Sequence, residues 1–209
     1  KRIDPNGEND YEVDRKTGKL ILLKETDEKT HRLVAQNRKG EIKYKRDGSY
    51  KKSITVEKTV VDKREVDGLK QKLDFGGGKD AENNAKRVFD FLSDNTDVEW
   101  SVLGYGKGEN NKNSITTSGD AEKEQTVTRL INSINNTDIN YFYHNHSGKD
   151  ANSFPSQGRP GEGGNDLGLW NDIWAKNPEA VMGIHSWGST QLYRQDKSNK
   201  KGYSPIIQR

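Results

Sequence analysis

DINYFYHNH, residues 138–146, is the stretch on which the fold turns. Its aromatic run, Tyr141 to Tyr143, reads as a β-strand. The two-residue period of a strand then places Phe142, His144 and His146 on one face. The chain has only four histidines, and two of them sit here, two apart. That spacing puts two imidazoles on one side of a strand, where they suit a single metal ion. Alone, the pair also fits two half-buried polar residues near a strand end.

The pattern extends in both directions. Upstream, KDAENNAKRVFDFLSDN (79–95) reads as a helix with Ala81, Ala85, Val88, Phe89 and Leu92 on one face. DVEWSVLGYG (97–106) reads as a strand with Val98, Trp100 and Val102 pointing one way and Glu99, Ser101 and Leu103 the other. NSITTSG (113–119) is a second strand, and DAEKEQTVTRLINSINN (120–136) is a helix with Val127, Leu130, Ile131 and Ile134 on one stripe. Downstream of the histidines lies a loop rich in Gly, Pro and Ser (147–165). A helix follows, DLGLWNDIWAKN (166–177), stopping before Pro178 and carrying Asp166, Leu169, Trp170 and Ile173 on one side. AVMGIHSW (180–187) and TQLYRQ (190–195) close as a hairpin, and the tail from Asp196 is unassigned. Helix, strand, strand, helix, strand, helix, strand, strand is the order of a mixed α/β layer fold.

Residues 1–72 differ in character. They hold 20 Lys and Arg against 14 Asp and Glu, a surplus of +6, whereas the remainder holds 15 against 18. Turn signals at RKTGK, NRKGE and KRDGS separate the strand-like stretches KLILL, HRLVAQ, EIKYK and SITVEKTVV. This reads as a basic β-meander spanning residues 1–75, set off by DFGGGKD from a catalytic unit at 76–209. The lysines read as a solvated face. Overall the chain is 29% hydrophobic and 32% charged, so the core is expected to be confined to part of it. No apolar run reaches the 18 residues of a membrane span. KRIDPNGENDYEV carries no apolar signal-peptide region, and the opening reads as a segment excised from something longer. With no cysteine, the chain has no disulfide, thiolate nucleophile or Cys-based zinc site, and a metal must take His and carboxylate ligands.

Two carboxylates sharpen the histidine pair. Asp166 opens the helix that follows, facing inward from its first turn, and Glu99 sits on the strand opposite the apolar face. Three protein ligands with one open position is the pattern of catalytic zinc, whereas a structural site fills all four. A Glu inside a strand is costly unless it is paired, and a zinc-bound water is such a partner.

The order Glu99, His144-x-His146, then Ser156 and Asp166 resembles the JAB/MPN (JAMM) metalloproteases over about residues 79–195. The resemblance implies a mixed β-sheet flanked by helices, in a layer fold related to the deaminases. It also implies Zn²⁺ held by His144, His146 and Asp166, with Glu99 as general base and Ser156 assisting at the oxyanion. Two departures stand out. Ser147 follows the second histidine where that family has Pro, and Ser156 precedes Asp166 by ten residues rather than three, consistent with QGRPGEGGN as an insertion. RIDPNGEND (2–10) is similar to the junction before the C-terminal toxins of Rhs-type polymorphic proteins. Together the two resemblances imply a toxin domain released from a large exported protein into a rival cell's cytoplasm. There it would cleave a protein substrate, and a cognate immunity protein would restrain it; no nucleic-acid partner is implied.

Three other readings compete. The letters HNH and a pI of 8.8 permit a metal-dependent nuclease toxin, but a ββα-metal nuclease spreads its histidines over a hairpin and a helix. A metal-free scaffold that only binds partners lacks the ligands. A deaminase zinc site needs cysteines. GYGKGE (104–109) reads as a connecting loop, His31 and His185 as structural histidines, and Trp170 and Trp174 as core.

Overall fold

In a computed structural model the described residues are 9–25, 30–120, 125–134, 138–147, 166–186 and 188–206. They form two sheets and four α-helices. The first sheet holds β1 (Asn9–Val13), β2 (Leu20–Lys24), β3 (Thr30–Ala35) and β4 (Ser53–Glu57) in the order β2-β1-β3-β4. The expected meander is therefore corrected. β1 pairs antiparallel with β2 but parallel with β3. SITVEKTVV is not one strand either: it breaks after Glu57 into α1 (Lys58–Asp62), a single turn that buries Val60 and Val61. EIKYK contributes only isolated bridges, Gln36 to Ile42 and Tyr44 to Tyr50.

The larger sheet has eight strands. β5 (Glu65–Asp67) and β6 (Lys70–Gly76) lie at one end, followed by β8 (Lys112–Thr117), β7 (Ser101–Tyr105), β9 (Ile139–Asn145), β10 (Val181–Ser186), β11 (Ser189–Gln195) and β12 (Tyr203–Pro205). Only β9 and β10 run parallel; the other pairs are antiparallel. Helices α2 (Lys79–Asn95), α3 (Gln125–Ser133) and α4 (Asp166–Lys176) flank this sheet. The mixed α/β layer fold read from the sequence is thus the observed one.

Strand alternation divides the core. Tyr141 and Tyr143 of β9 pack with Val88, Phe89, Leu92, Trp100 and Val102 on the α2 side. Phe142 packs with Leu103, Val127, Ile131, Trp170 and Ile173 on the α3 and α4 side. Burying Val88, Phe89 and Leu92 contributes roughly 1.5–3 kcal/mol each. The two tyrosine rings lie flat over glycines of neighbouring strands. A Cβ on Gly104 would sit 2.1 Å from the Tyr141 ring, and one on Gly183 would sit 2.5 Å from the Tyr143 ring. These glycines therefore let β9 carry two bulky rings on one face.

The described residues before Gly76 share the α2-side core. Val13, Leu20, Leu33, Val56, Val60 and Leu73 belong to the same buried cluster as Phe89 and Trp100. Arg15 pairs with Asp97 at 2.6 Å, and Gln71 donates to the Gly18 carbonyl at 2.9 Å. The boundary at 75/76 falls inside β6, which pairs with β8 from Gln71 to Gly76. Among the described residues no helix is long and apolar enough to cross a membrane.

Candidate metal centre

The two site histidines lie where β9 leaves the sheet. His144 stands opposite Ser101 of β7, and Asn145 stands opposite His185 of β10. The His146 amide still donates to the His185 carbonyl at 3.2 Å, one residue past the strand's end. The backbone is thus held through His146. α4 returns the chain between the parallel strands β9 and β10, and Asp166 is its first residue. The carboxyl end of a parallel strand pair, beside a helix N-terminus, is where open α/β sheets place their ligands. The positive end of the helix dipole also favours a carboxylate there.

The three side chains converge. His144 Nε2 and His146 Nε2 are 3.1 Å apart. Asp166 Oδ1 is 3.2 Å from the first and Asp166 Oδ2 is 3.1 Å from the second. Among the described residues, these three are the group that could hold a metal ion. His144 is buried and stacks on Phe142, ring centroids 5.5 Å apart at 19°. α4 is anchored by Trp170, Ile173 and Trp174, all fully buried, with Trp174 Nε1 donating to the Ala180 carbonyl at 2.8 Å. Both tryptophans are core, as read from the sequence.

Glu99 is half-buried and lies two residues ahead of β7 rather than on a strand, a correction to the sequence reading. Its neighbours Val98 and Trp100 belong to the α2-side cluster. Its amide donates to the Asp120 carbonyl at 2.8 Å, and its carbonyl accepts from Thr117 Oγ1 at 2.6 Å. Ser156 lies outside the described residues.

Residues 78–174 match the family model described as JAB-like toxin 1. This segment, a little under half of the chain, is similar to the JAB-like toxins. The match runs from the residue before α2 into α4, so it includes Glu99, His144, His146 and Asp166. No curated protein and no solved structure matches the chain.

Two histidines of the chain lie apart from the metal group. His31 is fully buried, with Nε2 2.8 Å from Asp62, and packs edge-on against Tyr11. His185 anchors α2 to the larger sheet. Its Nε2 lies 2.8 Å from Asp94, while its Nδ1 lies 3.3 Å from Asp90 and 2.9 Å from Thr190 Oγ1. Burial alone pulls the His185 imidazolium down, but hydrogen bonds and charge from Asp90 and Asp94 outweigh it and leave the pKa above the ordinary 6.5. A raised folded pKa contributes stability that is fully present below the unfolded value and is lost as pH rises through the folded one. Thermal melts of the wild type are therefore expected to lose midpoint between about pH 6.5 and the folded pKa of His185. His185→Gln is expected to remove that slope. An unchanged slope in the variant would assign the pH dependence to other groups.

Proposed function

We propose that the chain is a zinc-dependent protease or isopeptidase toxin. It acts in the cytoplasm of a target cell after release from a larger exported protein of the Rhs type. The observation that carries this reading is the triangle of His144, His146 and Asp166, with edges of 3.1, 3.2 and 3.1 Å. Ligands about 2.0–2.1 Å from a tetrahedral zinc stand about 3.3 Å from one another, so this donor set fits such an ion with little movement. Two ring nitrogens and a carboxylate aimed at one point are mutually repulsive once the rings are deprotonated there, and a shared cation relieves that repulsion. Three ligands leave a fourth position for reactants, which favours catalysis over a structural role.

When bound, zinc supplies a Lewis acid that brings the ionisation of water from about pH 16 to near 7. The remaining chemistry belongs to the chain. Glu99 takes the proton as general base and returns it to the leaving amine. Ser156 is assigned as a hydrogen-bond donor to the developing oxyanion. The buried Phe142 ring stacked on His144 lowers the local dielectric on that side. The partners are a protein substrate in the target cell and a cognate immunity protein.

Inducible expression in a bacterial cytoplasm tests the class of reaction. The wild type is expected to arrest growth while host DNA and RNA stay intact on gels and specific proteins appear shortened in whole-cell proteomics. Degraded nucleic acid with an unchanged proteome would transfer the function to a metal-dependent nuclease. Uninhibited growth with bound zinc would leave a partner-binding scaffold.

A further inference from the structure

Asn145 lies between the two histidines, and its side chain turns to the segment leading into β7 rather than to Asp166. It is 2% exposed, and both ends of its amide are turned onto the backbone that carries Glu99. Its Oδ1 accepts the Trp100 amide at 2.5 Å and its Nδ2 donates to the Val98 carbonyl at 3.2 Å. Only this orientation of the amide satisfies both groups, because an N–H must meet an oxygen and a carbonyl must meet an N–H. In an unbroken antiparallel ladder Trp100 and Asn145 would exchange two backbone bonds. One is present, from the Asn145 amide to the Trp100 carbonyl at 3.1 Å. The Asn145 side chain takes the place of the other, and the regular pairing of β7 with β9 stops at Ser101 and His144. Glu99 therefore sits outside the ladder, on a segment fixed by Asn145 at its two flanking residues and by Asp120 and Thr117 at its own amide and carbonyl.

We propose that Asn145 is a positioning residue for Glu99, tying the placement of the base to the strand that carries both histidines. The inference rests on the assignment of Glu99 as general base. It gives a physical reason for the residue between the histidines: one side chain sets the distance between the metal-binding strand and the proton acceptor. A base displaced by about 1 Å can lose on the order of 10² in rate while ligand binding is unaffected.

The test compares wild type, Asn145→Ala, Glu99→Gln and the double variant. Each is measured for zinc content, for amide hydrogen exchange without metal, and for the rate at which purified protein shortens proteins in a bacterial lysate. Asn145→Ala is expected to keep about one zinc per chain. Its Trp100 amide, having lost its acceptor, is expected to exchange about tenfold faster or more. Cleavage is expected to slow by on the order of 10². In the Glu99→Gln background the same change is expected to cost little more, because a residue that acts through Glu99 has nothing left to position. Asn145→Asp, which keeps the acceptor for Trp100 and the shape of the side chain, is expected to retain the protection and recover part of the rate. It also serves if Asn145→Ala is insoluble. Additive losses in the double variant, zinc loss in Asn145→Ala, or a wild-type rate in Asn145→Ala beside a crippled Glu99→Gln would each overturn the inference alone. A wild-type rate in Glu99→Gln would overturn the base assignment and the inference with it.

Discussion

Glu99→Gln is expected to bind about one zinc per chain, to melt like the wild type, and to cleave proteins more slowly by a factor of about 10² to 10⁴. The substitution keeps the length of the side chain and one hydrogen-bonding oxygen, but an amide does not take a proton near neutral pH. The backbone of residue 99 is held by the Asp120 carbonyl and the Thr117 hydroxyl, two contacts that the substitution leaves in place. The check is the rate at which shortened proteins appear when purified protein is added to a bacterial lysate, alongside zinc analysis of the same sample. A rate within a few-fold of wild type would place the base elsewhere in the chain.

The second large effect concerns residues 1–75. Their opposite charge and separate turn pattern suggest a module outside the catalytic unit, and on that reading a chain beginning at Gly76 keeps its zinc. The packing predicts otherwise. Such a chain loses β6, the partner of β8, together with Val13, Leu20, Leu33, Val56, Val60 and Leu73 from the cluster that buries Phe89 and Trp100. At roughly 1.5–3 kcal/mol for each buried aliphatic side chain, the loss is on the order of 10 kcal/mol, comparable to the whole stability of a typical domain. The shortened chain is expected to show no cooperative thermal transition and no stoichiometric zinc. A sharp melt with bound zinc would restore the two-unit reading.

The difference between those readings shows where sequence patterns carry structural information. α2 was legible because Ala85, Val88, Phe89 and Leu92 repeat at helical spacing against one face of the sheet. β9 and α4 were legible for the same kind of reason, an aromatic run and a Trp pair one turn apart. β6 was not, because KQKLDFG offers only Leu73 and Phe75 as apolar signals and runs straight into a glycine cluster that reads as a linker. α1 was hidden in β-branched residues that favour a strand until Val60 and Val61 find a core to enter as a helical turn. β12 is three residues long and depends on its pairing with β11.

The candidate site divides in the same way. His144 and His146 could be read from their two-residue spacing on a strand and Asp166 from its place at a helix start, and the structure brings all three together. The fit of Glu99 depends on which way an irregular segment before β7 turns. The Asn145 contacts join residues 45 and 47 positions apart in the chain and exist only once β7 and β9 are in register. A side chain that binds backbone leaves no spacing to recognise.

Metal analysis of purified protein tests the central claim most directly. The wild type is expected to carry about one zinc per chain after dialysis against metal-free buffer, and His144→Ala, His146→Ala and Asp166→Ala are each expected to lose most of it. Zinc retained in Asp166→Ala would remove the helix-opening carboxylate from the ligand set, and a wild type that binds no zinc would contradict the account as a whole.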